Sequence, residues 1–283
     1  MAIDAKKIDI ARFEKSGEGA NGSSYNSKTD PDIMVKMYNP GYDISTIVTE
    51  AEVARKVYDI GVVSPEPGQL VTDGERIGIM FRRIPGKVSF ARAIANEPQR
   101  CKELAVQFAH MCRELHATEC PEGLFPNAKD QFLGLLEADT AFNAEEKERI
   151  AAFIKAAPDC RTAIHGDMHF GNAVLDGEGR GLWIDLGYFA CGYPMFDLGM
   201  TYIVTHHNSD EFTFENFHFH NPQALEFWNF FIPEYLGTDD PAVIAAKEQE
   251  IKAFAALKTL LIEYNCGNVL FDWCKKMFYG TIL

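Results

Sequence analysis

The chain has 283 residues, 47% of them hydrophobic and 24% charged, with a net charge of −14. That is the ordinary balance of a soluble globular protein, and the length allows a large core or two lobes. No apolar run reaches the roughly 18 residues of a membrane span, the opening MAIDAKKIDIARFEK lacks a signal-peptide core, and seven cysteines without a C-x-x-C pair argue against a disulfide framework or zinc knuckle, so a reducing cytoplasm is the expected setting.

The first 88 residues read as a β-rich segment. Lys7-Ile-Asp-Ile is strand-like, and Ile33 to Tyr38 is a second strand, with the glycine-rich SGEGANGSSY between them. Gly17, Gly19 and Gly22 form a G-x-G-x-x-G, whose missing Cβ atoms let backbone N–H groups approach phosphates. The same pattern can open a dinucleotide-binding βαβ unit, but that needs a helix at once, and Ser23-Ser-Tyr-Asn-Ser has no helical periodicity. A hairpin covering nucleotide phosphates is the preferred reading.

Lys36 sits inside an apolar strand, where an ammonium is costly unless it meets an anion. A helix is expected from about Ser45 to Ile60, closed by Gly61, and Glu50 or Glu52 within it could hold Lys36 against the phosphates. Arg76 to Ile84 reads as a strand broken by Pro85-Gly86, a natural hinge. Its backbone around Met80, Arg82 and Ile84 is where a purine base would dock.

The remainder is mainly helical: a helix from Glu97 to His116, another over 145–157, and cap-then-Pro starts at Asn221-Pro222 and Asp240-Pro241, the last helix stopping near Gly267. HGDMHFGN occupies residues 165–172. A hairpin follows, Ala173 to Asp176 returning through Gly177-Glu-Gly to Gly181-Leu-Trp-Ile and Asp185. Asp167 and Asn172 are five apart, the spacing of a phosphoryl-transfer loop in which a carboxylate receives the acceptor's proton and an amide oxygen holds a cation. Asp185 supplies a second hard oxygen ligand, and Mg²⁺ needs few from the protein.

The arrangement resembles the aminoglycoside phosphotransferase and choline kinase superfamily. The likeness rests on HGD-x-x-x-x-N, the downstream I-D-L-G and Asp197-Leu-Gly, Lys36, and the helix with Glu50 leading to Gly61-Val-Val-Ser-Pro65. It implies an α+β, two-lobed protein-kinase-like fold, with a nucleotide-binding lobe over 1–85 and a helical lobe over 86–283 that carries the catalytic loop and acceptor region. It also implies Asp167 as catalytic base, Asn172 and Asp185 as Mg²⁺ ligands, Lys36 as phosphate contact with Glu50 as its ion-pair partner, and ATP or another nucleoside triphosphate as co-substrate. Asp197 and His165 would brace the loop, and His169 would brace it or take part in catalysis, with bracing preferred. Gly166 stands where protein kinases carry Arg, and no Ala-Pro-Glu follows Asp185, so a small-molecule hydroxyl acceptor is expected. Leu186 replaces the family's more usual Phe, a volume-conserving change.

Charge bears on the acceptor. Residues 1–88 are nearly balanced, whereas no Lys or Arg occurs between Arg180 and Lys247 and nine carboxylates do. Such a surface repels nucleic acid and anionic membrane and suits a cationic substrate, with aromatics such as Trp183, Tyr188, Phe212, Phe214 and Trp228 available for cation–π contact although most rings will be core. Asp210, Glu211 and Glu215 are the candidate contacts. His206, His207, His218 and His220 invite a metal reading, but Phe217-His-Phe-His fits alternating packing better. A catalytically silent nucleotide-binding module is the alternative, with a Rossmann-type protein behind it.

Overall fold

The structure is a computed structural model that describes residues 4–19, 21–263, 275–276 and 278–280. The chain forms two compact units, Met1–Val88 with Val174–Tyr188, and Ser89–Ala173 with Phe189–Leu283. The hairpin carrying Asp185, which the sequence reading placed with the helical remainder, therefore belongs to the amino-terminal unit.

That unit is built on β1 (Lys6–Lys7), β2 (Phe13–Gly19), β3 (Gly22–Ser27), β4 (Ile33–Tyr38), α1 (Ile44–Asp59), β5 (Pro67–Thr72) and β6 (Ile77–Arg82). The sheet order is β1-β5-β6-β4-β3-β2, with β1 parallel to β5 and the other pairs antiparallel. The expected first strand shrinks to Lys6–Lys7, and Ile10–Arg12 is a 3-10 turn. The glycine-rich stretch is itself strand on both sides, so β3 follows the glycines where a dinucleotide-binding unit needs a helix, which removes the Rossmann reading.

Alternation along β4 gives the sheet two faces. Val35 and Met37 join Val71 in one cluster, closed by Ile8, Ile10, Phe13, Tyr25 and Met80. Tyr38 and Ile79 join Ile47 of α1 in the other. Two glycines make the close strand approach possible: a Cβ at Gly22 would lie 2.2 Å from the Met37 carbonyl oxygen, and one at Gly78 would lie 2.5 Å from that of Lys36. Asp43 caps α1 by accepting the Ser45 N–H at 3.2 Å, and Gly61, at φ +88°, turns the chain out of it.

The second unit contains α2 (Phe90–Asn96), α3 (Cys101–Ala117), α4 (Ala128–Ala138), α5 (Ala144–Ala156), α6 (Met195–His206), α7 (Asp210–Phe217), α8 (Asn221–Leu236) and α9 (Pro241–Lys258). Helices α3 and α8 pack together, as do α6 and α9. Every residue of α6 except His206 is buried, as expected of a helix with no polar face. A Cβ on its Gly199 would lie 2.9 Å from the Ala255 nitrogen and the Phe254 carbonyl carbon, so glycine lets α9 approach to backbone contact. The expected helix from Glu97 starts at Cys101 after a 3-10 turn, and α8 is capped from His220, with Asn221 its first residue. Phe217 and Phe219 are buried and their histidine neighbours exposed, but this alternation comes from the end of α7 and a left-handed His218, not from a strand. The expected stop at Gly267 lies outside the described residues. No helix among those described is long and apolar enough to cross a membrane.

Candidate functional site

The amino-terminal unit gathers three of the predicted residues. Lys36 shares the α1 face of β4, and its Nζ donates to Glu50 Oε1 at 2.8 Å and to Asp185 Oδ1. It also lies 5.2 Å from the centroid of the Tyr38 ring, two residues along the same face. Burial opposes the ammonium, but the two carboxylates more than offset it, and the Lys36 pKa is raised. Glu52 is exposed, so of the two glutamates offered by the sequence the helix presents Glu50 to the lysine.

Asp185 follows β8 (Gly181–Trp183), whose pairing with β7 (Ala173–Leu175) forms the expected hairpin. Its φ of +60° is a conformation that non-glycine residues seldom adopt, and its side chain is 50% exposed. A strained, accessible carboxylate whose partner is a lysine is well suited to exchange that partner for a cation.

The glycines divide. Gly17 and Gly19 lie along β2, where an added Cβ would make only ordinary contacts at 3.8 Å, whereas Gly22 is required by the approach of β4. Met80 pairs with Val35 and Arg82 with Ile33, so both side chains lie on the sheet face opposite Lys36. Any contact from these two positions to a nucleotide beside Lys36 would have to come from the backbone, and the Arg82 N–H is already given to Glu66. Ile84 has a buried side chain, and neither its N–H nor its C=O is hydrogen-bonded among the described residues.

The second unit holds the loop 165–172. Asp197 of α6, fully buried, accepts the N–H of His165 at 2.7 Å and of Gly166 at 2.8 Å, and is itself held by His116 Nε2 at 3.2 Å. Thr201, one turn on, donates to the Met168 carbonyl at 2.8 Å. Phe170 drives its ring among Phe217, Phe219 and Phe227. His169 Nδ1 accepts the Gly171 N–H at 3.0 Å, a loop-bracing bond. Between these anchors Asn172 Nδ2 donates to Asp167 at both the carbonyl, 3.0 Å, and Oδ2, 2.8 Å. Asn172 Oδ1 makes no hydrogen bond among the described residues.

Asp167 is 28% exposed, with His169 Nε2 3.7 Å from its carboxylate. Burial works against its charge, but His169, Lys258 and His165 outweigh burial and hold the carboxyl well below the usual range. Lys258, at the end of α9, is 4% exposed and donates to the Gly166 carbonyl. The sequence reading did not single it out, although a lone lysine in Ala253-Phe-Ala-Ala-Leu-Lys-Thr-Leu-Leu is the same cue that drew attention to Lys36.

The acceptor candidates fare unequally. Asp210 accepts the Asn221 N–H at 2.8 Å and pairs with His220 Nδ1 at 2.9 Å, so it joins α7 to the start of α8. Glu211 and Glu215 lie exposed on α7, beside exposed Phe212 and Phe214. Of the named aromatics Trp183 and Trp228 are core, and Tyr188 is exposed. His206 stacks on Tyr202, and His220 stacks on Phe214.

The sequence model of the phosphotransferase enzyme family matches residues 14–231. No curated protein matches the chain significantly in sequence. Among solved structures, the ethanolamine kinase of Plasmodium vivax is 14% identical, with 96% of this chain and 81% of that one covered at a TM-score of 0.57. A thermostable mutant of aminoglycoside phosphotransferase APH(4)-Ia, in ternary complex with AMP-PNP and hygromycin B, is 12% identical, with 95% and 92% covered at 0.63. The Streptomyces rimosus aminoglycoside phosphotransferase APH(3'')-Id, with ADP and streptomycin, is 15% identical, with 97% and 94% covered at 0.52. At such identities these likenesses establish a kinase-like α+β fold, and the family match adds the activity class: the chain belongs to the phosphotransferase enzyme family and is a small-molecule kinase.

Proposed function

We propose that the chain moves the γ-phosphoryl group of ATP to a hydroxyl of a small cationic molecule, with Asp167 as the base. The observation that carries this reading is the pinned loop in which Asn172 occupies Asp167 Oδ2 and leaves Oδ1 for a substrate hydroxyl. Phosphoryl transfer asks for alignment more than covalent help, and a loop fixed at Asp197, Thr201 and Phe170 supplies alignment. A carboxylate of low proton affinity orients the hydroxyl while ionised and takes its proton only as the new P–O bond develops. Lys36, steadied by Glu50, would contact the α- and β-phosphates, Gly17 and Gly19 would give the phosphates close backbone approach, and the unpaired Ile84 backbone suits an adenine edge.

Asn172 Oδ1 and the Asp185 carboxylate are each a hard oxygen donor of the kind Mg²⁺ accepts, and each would serve as a ligand. When bound, magnesium neutralises charge on the β- and γ-oxygens. For the acceptor, Glu211 and Glu215 flank two exposed rings on α7, and Phe217 at the end of that helix rests against His169 and Phe170 of the loop. Ethanolamine and aminoglycosides, for which similar structures are named, are amine-bearing alcohols of the same kind.

An ATP-consumption screen over amino-alcohols, aminoglycosides and amino sugars should find turnover. Asp167→Asn should keep Mg-ATP binding and lose most turnover, whereas Asp185→Asn should weaken nucleotide binding as well. Full activity in Asp167→Asn would remove it as the base, and turnover confined to neutral or anionic sugars would reject the cationic acceptor.

A further inference from the structure

Gly166 is gripped from two sides by opposite charges. Its N–H donates to the Asp197 carboxylate at 2.8 Å, and its C=O receives the Lys258 ammonium. It is the residue immediately before Asp167 and holds φ at +81°, a conformation open to glycine. Lys258 is 4% exposed on a helix whose neighbouring residues Ala253 to Leu257 are all buried and apolar, and no carboxylate among the described residues lies within ion-pair distance of it.

An ammonium in such a place is costly, and methionine or leucine would fill the space without that cost. Helix C-termini do attract lysines through the macrodipole. That explanation would send the ammonium to the last carbonyls of α9, whereas it goes to Gly166, some 92 residues back in the chain. The helix is brought close enough to reach by Gly199 of α6, two residues beyond Asp197. One helix pair thus delivers both halves of the grip.

We propose that Lys258 is a positioning residue for phosphoryl transfer: its hydrogen bond to the Gly166 carbonyl, opposed by Asp197 on the Gly166 N–H, fixes the peptide from which Asp167 projects. This rests on the role given to Asp167 above. It assigns no contact between Lys258 and substrate. The lysine fixes the plane of the 166–167 peptide and with it the direction in which the Asp167 side chain leaves the backbone, and a misplacement of about 1 Å at a reacting group is enough to cost roughly 100-fold in rate.

The test compares Lys258→Met, Lys258→Gln and Lys258→Arg in the full chain by steady-state kinetics, thermal unfolding, and amide hydrogen exchange of a peptide spanning residues 164–172. Lys258→Met should lower kcat by about 100-fold while leaving KM for ATP within about threefold, because the loss falls on the base and not on the nucleotide contacts. Its unfolding temperature should hold or rise, since a buried charge is replaced by an apolar side chain of similar volume. Exchange at 165–167 should accelerate in the Met and Gln variants, and Lys258→Arg, which keeps a charged donor, should recover both protection and most of kcat. Unchanged exchange in Lys258→Met overturns the proposal, as does faster exchange with wild-type kcat, or loss of kcat and fold together in all three variants. Should the wild-type chain phosphorylate nothing, the functional reading fails by itself, and the exchange measurement still decides whether the grip exists.

Discussion

Replacing Glu50 by Gln removes one negative charge beside Lys36 and leaves the shape of the helix intact. The pair is 2.8 Å long with side-chain exposures of 20% and 14%, so it is only partly screened. Coulomb attraction at that separation is about 6 kcal/mol for an effective dielectric of 20, but the net worth of the contact is much smaller after desolvation. Glu50→Gln leaves the ammonium a neutral amide acceptor and removes only the charge–charge part of the contact, on the order of 1–1.5 kcal/mol of the force that holds it in place. Lys36 is not orphaned, because Asp185 remains. It turns toward Asp185 and competes with any cation there. The expected result is a rise of roughly tenfold in KM for ATP and a steeper dependence on magnesium, with a loss in unfolding temperature of only a few degrees. Glu52→Gln, on the exposed side of the same helix, is the control and should change nothing measurable. Titration calorimetry with an ATP analogue at two magnesium concentrations reads the effect. Equal nucleotide affinity in wild type and Glu50→Gln, or equal losses in the two variants, would refute the reasoning.

Gly199→Ala places a methyl 2.9 Å from the α9 backbone and should cost about 1–3 kcal/mol in denaturant unfolding, with a fall in kcat as α9 retreats from Gly166; wild-type stability would show that the helices part without strain. His206 is pushed down to about 4 by burial against Tyr202. Because the folded state resists its protonation, its contribution is complete above the unfolded value of about 6.5 and is lost as pH falls from there to about 4, so His206→Gln should flatten the stability curve across that window, measured by urea midpoints at pH 7 and pH 5. Asp210→Ala should lower the unfolding temperature without altering KM for the acceptor, since its bonds go to Asn221 and His220, whereas Glu211→Gln with Glu215→Gln should raise that KM and spare stability. The reverse pattern in the kinetics would return Asp210 to the acceptor site.

The residues most legible in the sequence are those whose chemistry conflicts with their surroundings. Lys36 stands out because an ammonium interrupts an apolar strand, and Asp167 with Asn172 because their spacing and flanking glycines match a loop with a task. Where one segment serves two needs, pattern reading falls short. Gly22 reads as part of a phosphate cradle, but the register Gly22↔Tyr38 makes it a spacer between β3 and β4. At Met80 the expectation concerns the backbone alone, and pairing with Val35 turns the side chain to the face opposite Lys36, a consequence of register that periodicity within one strand cannot supply. Helix α6 passed unrecognised because a helix buried all round has no amphipathic stripe, and β5 because Pro67-Gly68 resembles a turn. Asp210 was read by charge alone. Its partners come from a second helix that begins eleven residues later.

Asp167 within the HGDMHFGN loop and Asp185 after the hairpin that follows it illustrate how environment suits one functional group to different roles. Asp167 is held by groups that cannot leave: the Asn172 amide, the His169 ring and a loop pinned to α6, α9 and a phenylalanine cluster. A carboxylate so fixed has one oxygen to offer and one direction in which to offer it, which is what aligning a hydroxyl requires. Asp185 is more exposed, at 50% against 28%, sits in a left-handed backbone conformation, and has a lysine as its partner. That partner has a second carboxylate, Glu50, ready to keep it. Removing Lys36 from Asp185 therefore does not strand an ammonium, and the exchange of lysine for a divalent cation costs far less there than at Asp167, where every partner is part of the loop's own framework. The fixed carboxylate suits proton transfer and the releasable one suits metal exchange, and the division follows from who their neighbours are.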